Sequence, residues 1–157
     1  MKLIFLAVAL LAMAACSSAP AATPSPTPTA SPSGPLLTLT MRGGLCPPGA
    51  CETTYYVEND GRVHLAAKPP NELGYAGEQE LADLQAAISA ADFDEIRSHP
   101  FTGTCPTAFD GPEMVLEFAT PTGTQQIASC EVAFDWSAPL FSAVAVALWP
   151  IVGPLIQ

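Results

Sequence analysis

The chain has 157 residues and a formal net charge of −10 at pH 7, because 15 Asp and Glu residues outweigh 5 Lys and Arg. This length is typical of one domain. So large an excess of acid argues against nucleic acid as a partner, since proteins bind phosphates mainly through Lys and Arg, and it disfavours adsorption to anionic lipid headgroups.

The N-terminus has the composition of an export signal. Lys2 is followed by an apolar run at 3–13 and by small residues at 14–15, directly before Cys16. A positive start, a short apolar run and small residues are typical of a cleavable signal, and the run is too short to span a membrane. We expect residues 1–15 to be a signal peptide.

The segment Met13-Ala14-Ala15-Cys16 resembles the lipobox of bacterial lipoproteins, with Met13 where Leu is usual. The resemblance implies that Cys16 is acylated and becomes the mature N-terminus, and Ser17 implies retention in the outer membrane if the cell is Gram-negative. Two or three acyl chains would make the anchor stable. The alternative is an ordinary signal peptidase site with an unmodified Cys16. We expect an exported protein, lipid-anchored to the cell membrane.

A linker follows the anchor. Residues 17–34 consist only of Ser, Ala, Pro, Thr and Gly and carry no charge, a composition that cannot bury a core. Alternating prolines favour extended polyproline II at about 3.1 Å per residue, so this tether could hold a domain up to about 55 Å from the lipid. We therefore divide the chain into the signal peptide, the lipidated Cys16 with its linker (16–34), and one domain (35–157).

The remaining cysteines, Cys46, Cys51, Cys105 and Cys130, all lie in this domain. An even number of cysteines in an exported chain predicts disulfides. We expect the pairs Cys46–Cys51, which bracket a Pro-Pro-Gly turn, and Cys105–Cys130. The alternative is a zinc site made of these cysteines with His64 or His99, but the spacing of the cysteines fits no zinc knuckle.

Hydrophobic periodicity predicts the elements of the first half of the domain. Alternating apolar and polar side chains indicate strands at 37–42, 53–57 and 62–65, and Asn59-Asp60-Gly61 makes the last two a hairpin. Residues 68–77, with two prolines and two glycines, are expected to form a loop. A 3.6-residue period then predicts a helix over 78–91, followed by an irregular turn at 93–96.

The second half of the domain is predicted to add two strands and a helix. Strands are expected at 113–118 and 125–134, with Cys130 near the middle of the second one. The stretch 137–157 carries no charge, but its prolines leave only 140–149 uninterrupted, about half of the length that a membrane span needs. Ser137-Ala138-Pro139 is typical of a helix start, and the run 140–148 is almost wholly apolar. We expect this helix to pack on the sheet.

The C-terminal residues could instead present an exposed apolar patch, which would be a binding surface. Its members would be Trp149, Ile151, Val152, Leu155 and Ile156.

The order β-β-β-α-β-β-α predicts an α+β domain. We expect an antiparallel sheet of about five strands, two helices packed on one face of the sheet, and two disulfides.

No enzyme motif stands out in the chain, which lacks a Gly-x-Ser-x-Gly elbow, a His-Glu-x-x-His helix, a phosphate loop and a dinucleotide fingerprint. The carboxylates of Asp110 and Glu113 could serve acid–base catalysis in an apolar cleft, although turn chemistry also explains Asp110-Gly111-Pro112. The acidic turn that begins at Asp92 lacks the rest of an EF-hand calcium loop. We expect no enzymatic activity, no cofactor and no metal.

Two family resemblances bear on function. A cysteine-bracketed turn, a tyrosine-containing strand and an Asp-Gly hairpin resemble a family of uncharacterised small exported bacterial domains, and the matching residues are Cys46, Cys51, Tyr55, Tyr56, Asp60 and Gly61. The order of elements, with Ala91-Asp92-Phe93 closing the first helix, is similar to the emfourin-type inhibitors of thermolysin-like metalloproteases. The second resemblance implies protease inhibition.

The sequence thus favours a membrane-anchored lipoprotein whose domain is a non-enzymatic binding module for another envelope or extracellular protein. The candidate binding residues are Tyr55, Tyr56, Asp110 and Trp149. Two alternatives stay open: a protease inhibitor of the emfourin type, and a hydrolase that uses Asp110 and Glu113.

Overall fold

The computed structural model describes residues 34–44, 51–67 and 71–153, which belong to one compact unit of the chain. Its elements in chain order are β1 (Leu37–Arg42), β2 (Glu52–Val57), β3 (Arg62–Leu65), β4 (Asn71–Tyr75), α1 (Glu78–Ala90), α2 (Phe93–Arg97), a short 3-10 helix (Pro106–Phe109), β5 (Glu113–Thr120), β6 (Gly123–Ala128) and α3 (Pro139–Val152).

The strands form one antiparallel sheet of six, in the order β4-β3-β2-β1-β5-β6. In its interior Leu37 lies opposite Phe118 and Leu39 opposite Leu116. Directly opposite residues of antiparallel strands point to the same face of the sheet. The apolar positions of β1 and β5 therefore collect on one face, where these four side chains have no exposed surface.

Helices cover this face, which we call the inner face. Leu84 and Ile88 of α1 and Phe141, Val144 and Leu148 of α3 belong to the same buried core as the apolar side chains of the strands. An amphipathic helix gains stability mainly by burying its apolar stripe in this way. The expected α+β domain with an antiparallel sheet is confirmed.

The sheet has one strand more than expected, because β4 (Asn71–Tyr75) forms within 68–77, where we expected a loop. The strand expected at 125–134 is present as β6, but it is shorter and spans Gly123–Ala128. After Ala128 the chain turns, since the N–H groups of Glu131 and Val132 both donate to the Ala128 carbonyl, at 3.0 and 2.9 Å.

The helices also differ from the expectation. Asp92 accepts hydrogen bonds from the N–H groups of Asp94 and Glu95, and this N-cap makes the expected irregular turn a short helix, α2. The domain has three α-helices in the described residues rather than two.

The last helix, α3, begins at Pro139, within the expected start, and runs beyond the apolar run 140–148 through Pro150. Proline lacks an N–H and breaks helices in their interior, but here the helix ends soon afterwards at Val152. Gly153 closes it with φ of +79°, and its N–H donates to the Trp149 carbonyl at 3.0 Å. None of the helices in the described ranges combines the length and the apolar composition needed to cross a membrane.

The Cys105–Cys130 disulfide is confirmed, and it joins the loop after α2 to the turn after β6. These two sulfurs therefore cannot be the thiolate ligands of a zinc site. Cys51 is also disulfide-bonded, but Cys46 lies outside the described residues, so the pair Cys46–Cys51 stays a prediction. One disulfide, not two, is defined in the described ranges.

Several expectations concern parts of the chain outside the described residues. These parts are the signal peptide, the lipidation site Cys16, the linker as far as residue 33, and the tail residues Leu155 and Ile156.

Candidate functional site

The richest group of polar side chains lies on the sheet face opposite the helices, which we call the outer face. Tyr56 of β2 is directly opposite His64 of β3, and His64 is directly opposite Glu72 of β4. Because cross-strand partners share a face, the register brings these three side chains into one row. Their centre is His64, whose side chain is 19% exposed.

His64 contacts its neighbours through its ring and through both ring nitrogens. Its ring centroid lies 5.2 Å from that of Tyr56, with the planes tilted by 46°. Its Nε2 lies 2.8 Å from Oε1 of Glu58, and its Nδ1 lies 3.3 Å from the carbonyl oxygen of Leu65. A charge-assisted contact as short as the first one holds the ring and the carboxylate in a fixed arrangement.

The β2–β3 turn supplies the charged residues at one side of this row. The N–H of Glu58 donates to the Arg62 carbonyl at 2.8 Å, and the N–H of Gly61 donates to the Glu58 carbonyl at 3.0 Å. Gly61 has φ of +86°, a conformation that glycine adopts without strain. The hairpin that we predicted from Asn59-Asp60-Gly61 is therefore present.

Arg62 is paired with Asp60 of the same turn, at 2.9 Å from Nε to Oδ2. Hydrogen bonds from the Arg62 backbone N–H and then from its side chain hold the pKa of the Asp60 carboxyl below its ordinary value. The hydrogen bond with Asp60 in turn raises the pKa of the Arg62 guanidinium. The turn therefore contributes a neutralised ion pair rather than a free cation.

The edge strand β4 completes the group. The Tyr75 hydroxyl lies 3.4 Å from Oε2 of Glu72, and the Tyr75 side chain is largely exposed. A depression of about 350 Å³ lies here, lined by Glu58, Arg62, His64 and Glu72. We call the whole group the His64 cluster, and its members are Tyr56, Glu58, Arg62, His64, Glu72 and Tyr75.

The residues of the His64 cluster are suited to binding. Within the described part of the chain, no three His, Cys, Asp or Glu side chains are arranged to hold a metal ion. The cluster instead offers carboxylates, an imidazole and phenol rings around an open depression, groups that orient a ligand by hydrogen bonds and aromatic contact.

Of the four binding residues predicted from the sequence, only Tyr56 belongs to the His64 cluster. Tyr55 points to the inner face and packs against the core. Asp110 caps the 3-10 helix with φ of +69°. Trp149 of α3 is 37% exposed and lies 5.8 Å from Trp136 between ring centroids. The structure does not bring these four residues together.

The residues that the sequence suggested for catalysis or metal binding make local structural contacts. Glu113 forms an ion pair with Arg42 at 2.9 Å. The Nδ1 atom of His99 lies 3.0 Å from the carbonyl oxygen of Glu95 in the last turn of α2, the end of a helix at which an imidazole is favourable. Asp92 is the N-cap of α2.

A second concave surface lies on the helical side of the domain. It is a groove of about 510 Å³ between α1 and α3, with Ala87 and Ala90 on one wall, Ala143 and the 55% exposed Val146 on the other, and Glu80 among its acidic residues.

Comparisons with protein-family models, with curated proteins and with solved structures find no match for this chain. The two family resemblances noted in the sequence therefore stay predictions.

Proposed function

We propose that this protein is a lipid-anchored, non-enzymatic binding module of the cell envelope, and that it binds an envelope or extracellular protein with the His64 cluster. The export signal, the lipobox-like segment ending at Cys16 and the uncharged linker support the anchored location. Such a tether would present the domain to its surroundings.

The observation that carries the binding proposal is the convergence of the His64 cluster on one face. Three strands and one turn contribute to it, and the depression is lined by charged and titratable side chains rather than by a closed apolar core. Polar side chains that serve only solubility need no such convergence, whereas a ligand-binding site has a few polar groups that point to one place.

The two alternative functions have less support. Catalysis by Asp110 and Glu113 would need a free carboxylate pair, and Glu113 already pairs with Arg42 at 2.9 Å. Protease inhibition depends on the resemblance in the order of elements, and no particular contact in the structure favours it.

Lipidation is tested by metabolic labelling with an alkyne analogue of palmitate. We expect the full-length protein to take up the label and to sediment with membranes, and we expect the variant Cys16→Ser to lose both properties. A wild-type protein that stays unlabelled and is released from cells would contradict the anchor.

Binding is tested by chemical crosslinking of the tagged full-length protein in its own cells. We compare the wild type with Glu58→Gln/Glu72→Gln, which alters the cluster, and with Glu78→Gln/Glu80→Gln, which makes the same charge change on α1. We expect a discrete adduct in the wild type and in the α1 variant that is lost in the cluster variant. The same adduct in all three proteins would exclude the His64 cluster as the binding site.

A further inference from the structure

The carboxylates of the His64 cluster keep acceptor capacity after their contacts within the protein are counted. An ionised carboxylate has about four lone-pair positions. Glu58 uses one oxygen for His64 at 2.8 Å and its side chain is still 27% exposed. Glu72 is exposed, and the Tyr75 hydroxyl contacts it only at a long 3.4 Å. Both carboxylates can accept further hydrogen bonds from a ligand.

The charge around the depression is negative. Arg62 is the one Lys or Arg among the described residues that line the depression, and the charge of its guanidinium is balanced by Asp60 at 2.9 Å. The carboxylates of Glu58 and Glu72 add negative charge beside this balanced pair, in a chain whose formal net charge is −10. A site with an excess of charge of one sign attracts ligands of the opposite sign, so an anionic ligand such as a phosphate is disfavoured here.

Aromatic rings belong to the same cluster as these carboxylates. The Tyr56 ring lies against the His64 ring on the outer face, and the Tyr75 side chain is 59% exposed beside Glu72. The face of a tyrosine ring attracts cations. A volume of about 350 Å³ is near the lower end of the range for small-ligand sites, about 300 to 1,000 Å³, so the depression suits an alkylammonium chain.

We propose that the His64 cluster recognises a primary ammonium group, held between the carboxylates of Glu58 and Glu72 and beside the rings of Tyr56 and Tyr75. An ammonium group has three N–H donors and no acceptor, and an ionised carboxylate only accepts, so the ammonium matches the carboxylates of Glu58 and Glu72. This inference rests on the proposed function, because it names the chemistry that the same site would recognise. The group can belong to a lysine side chain of a protein or to a free polyamine.

The test is an NMR titration of the full-length protein in detergent micelles. The probes are Nα-acetyl-lysine-N-methylamide, which carries the ammonium on a lysine side chain, cadaverine, which is a free diamine, and Nα-acetyl-norleucine-N-methylamide, which lacks the ammonium. We expect both amines to shift the amide signals of Tyr56, His64 and Glu72 with millimolar affinity, and we expect the norleucine analogue to leave them unchanged. Added salt should weaken binding, because the groups are accessible to solvent.

Two variants assign the binding to the named carboxylates. Glu72→Gln should weaken the binding of the amines roughly two- to fivefold, the range measured for exposed ion pairs. Glu78→Gln on α1 makes the same change in net charge away from the cluster and should leave the affinity unchanged. Circular dichroism of each variant checks that the fold is retained.

Three results would overturn the inference. They are the absence of shifts at roughly 10 mM amine, where a millimolar site would be mostly occupied, equal shifts with the norleucine analogue, and equal weakening by Glu72→Gln and Glu78→Gln. Tighter binding of the lysine analogue than of cadaverine would support a protein-borne ammonium, and equal binding would support a free amine.

The outcomes also separate this inference from the proposed function. A cluster-dependent adduct in cells without any binding of the amines would leave the binding module standing and remove the ammonium as its ligand. Binding of the amines without a cluster-dependent adduct would support the ammonium site and count against the binding of an envelope protein through the cluster.

Discussion

Removal of the Cys105–Cys130 disulfide, by the variant Cys105→Ala/Cys130→Ala, should destabilise the domain mainly through its unfolded state. The two cysteines are 25 residues apart in sequence. The loop-closure relation then gives about 12 cal/mol/K, or about 3.5 kcal/mol at 25 °C. The native loop should persist in the variant, because the Phe101 N–H still donates to the Glu131 carbonyl at 2.9 Å.

The assay is urea unfolding followed by tryptophan fluorescence, since Trp136 and Trp149 lie in contact in the folded domain. With an m-value of about 1.5 kcal/mol/M, the loss of 3.5 kcal/mol should lower the midpoint by about 2 M urea. Thiol titration checks that the disulfide of Cys51 is intact in the variant. A loss of stability below about 1 kcal/mol would refute the reasoning from loop closure.

Three further substitutions test the core, a helix cap and a charged turn by the same unfolding assay. Phe118→Ala removes a fully buried ring that lies 5.5 Å from the Phe93 ring and should cost about 3 to 5 kcal/mol; a cost below 1 kcal/mol would place Phe118 outside the core. Asp92→Ala removes the N-cap of α2 and should cost about 1 kcal/mol, whereas an unchanged stability would mean that the cap contributes nothing. Hydrogen bonds from the Ser137 hydroxyl and then from its N–H hold the pKa of the Asp135 carboxyl below its ordinary value of 3.8. The Asp135 carboxylate should therefore stabilise the fold above pH 3.8, and this stabilisation should be lost as the pH falls through the lower pKa of the native state. A stability difference between wild type and Asp135→Asn that grows on acidification would contradict that sign.

Periodicity was sufficient to predict the elements that have one buried face. In β1, Leu37 and Leu39 point to the core while Thr38 and Thr40 point away, and α1 buries Leu84 and Ile88 one turn apart. In such elements the spacing of the apolar side chains along the sequence identifies the face that is buried. The α+β class followed from the order of these elements.

Elements that depend on tertiary contacts could not be predicted from local pattern. β4 contains Gly74 and no clean alternation, yet it pairs with β3 across a register shift at Val63 and His64, because the edge of β3 offers free backbone groups. β6 ends early because Ala128 accepts hydrogen bonds from a turn that has neither Gly nor Pro to mark it. Propensity is a weak guide where pairing decides the structure.

The sequence did not predict the His64 cluster, because the cluster also depends on how the strands pair. Alternation along the chain could place Tyr56 and Glu58 on one face, but it could not show that His64 reaches Glu58 at 2.8 Å across the hairpin. Glu72 joins the cluster only through β4, the strand that the sequence did not predict. A site assembled across strands requires the register, and the register is a property of the whole sheet.

The most direct test of the proposed function is site-specific photo-crosslinking of the full-length protein in its own cells. One protein carries a benzophenone amino acid in place of Tyr56 on the outer face, and a control carries it in place of the exposed Gln79 of α1. We predict a light-dependent protein adduct from position 56 that is absent from position 79. An adduct from position 79 alone, or none from position 56, would contradict binding through the His64 cluster.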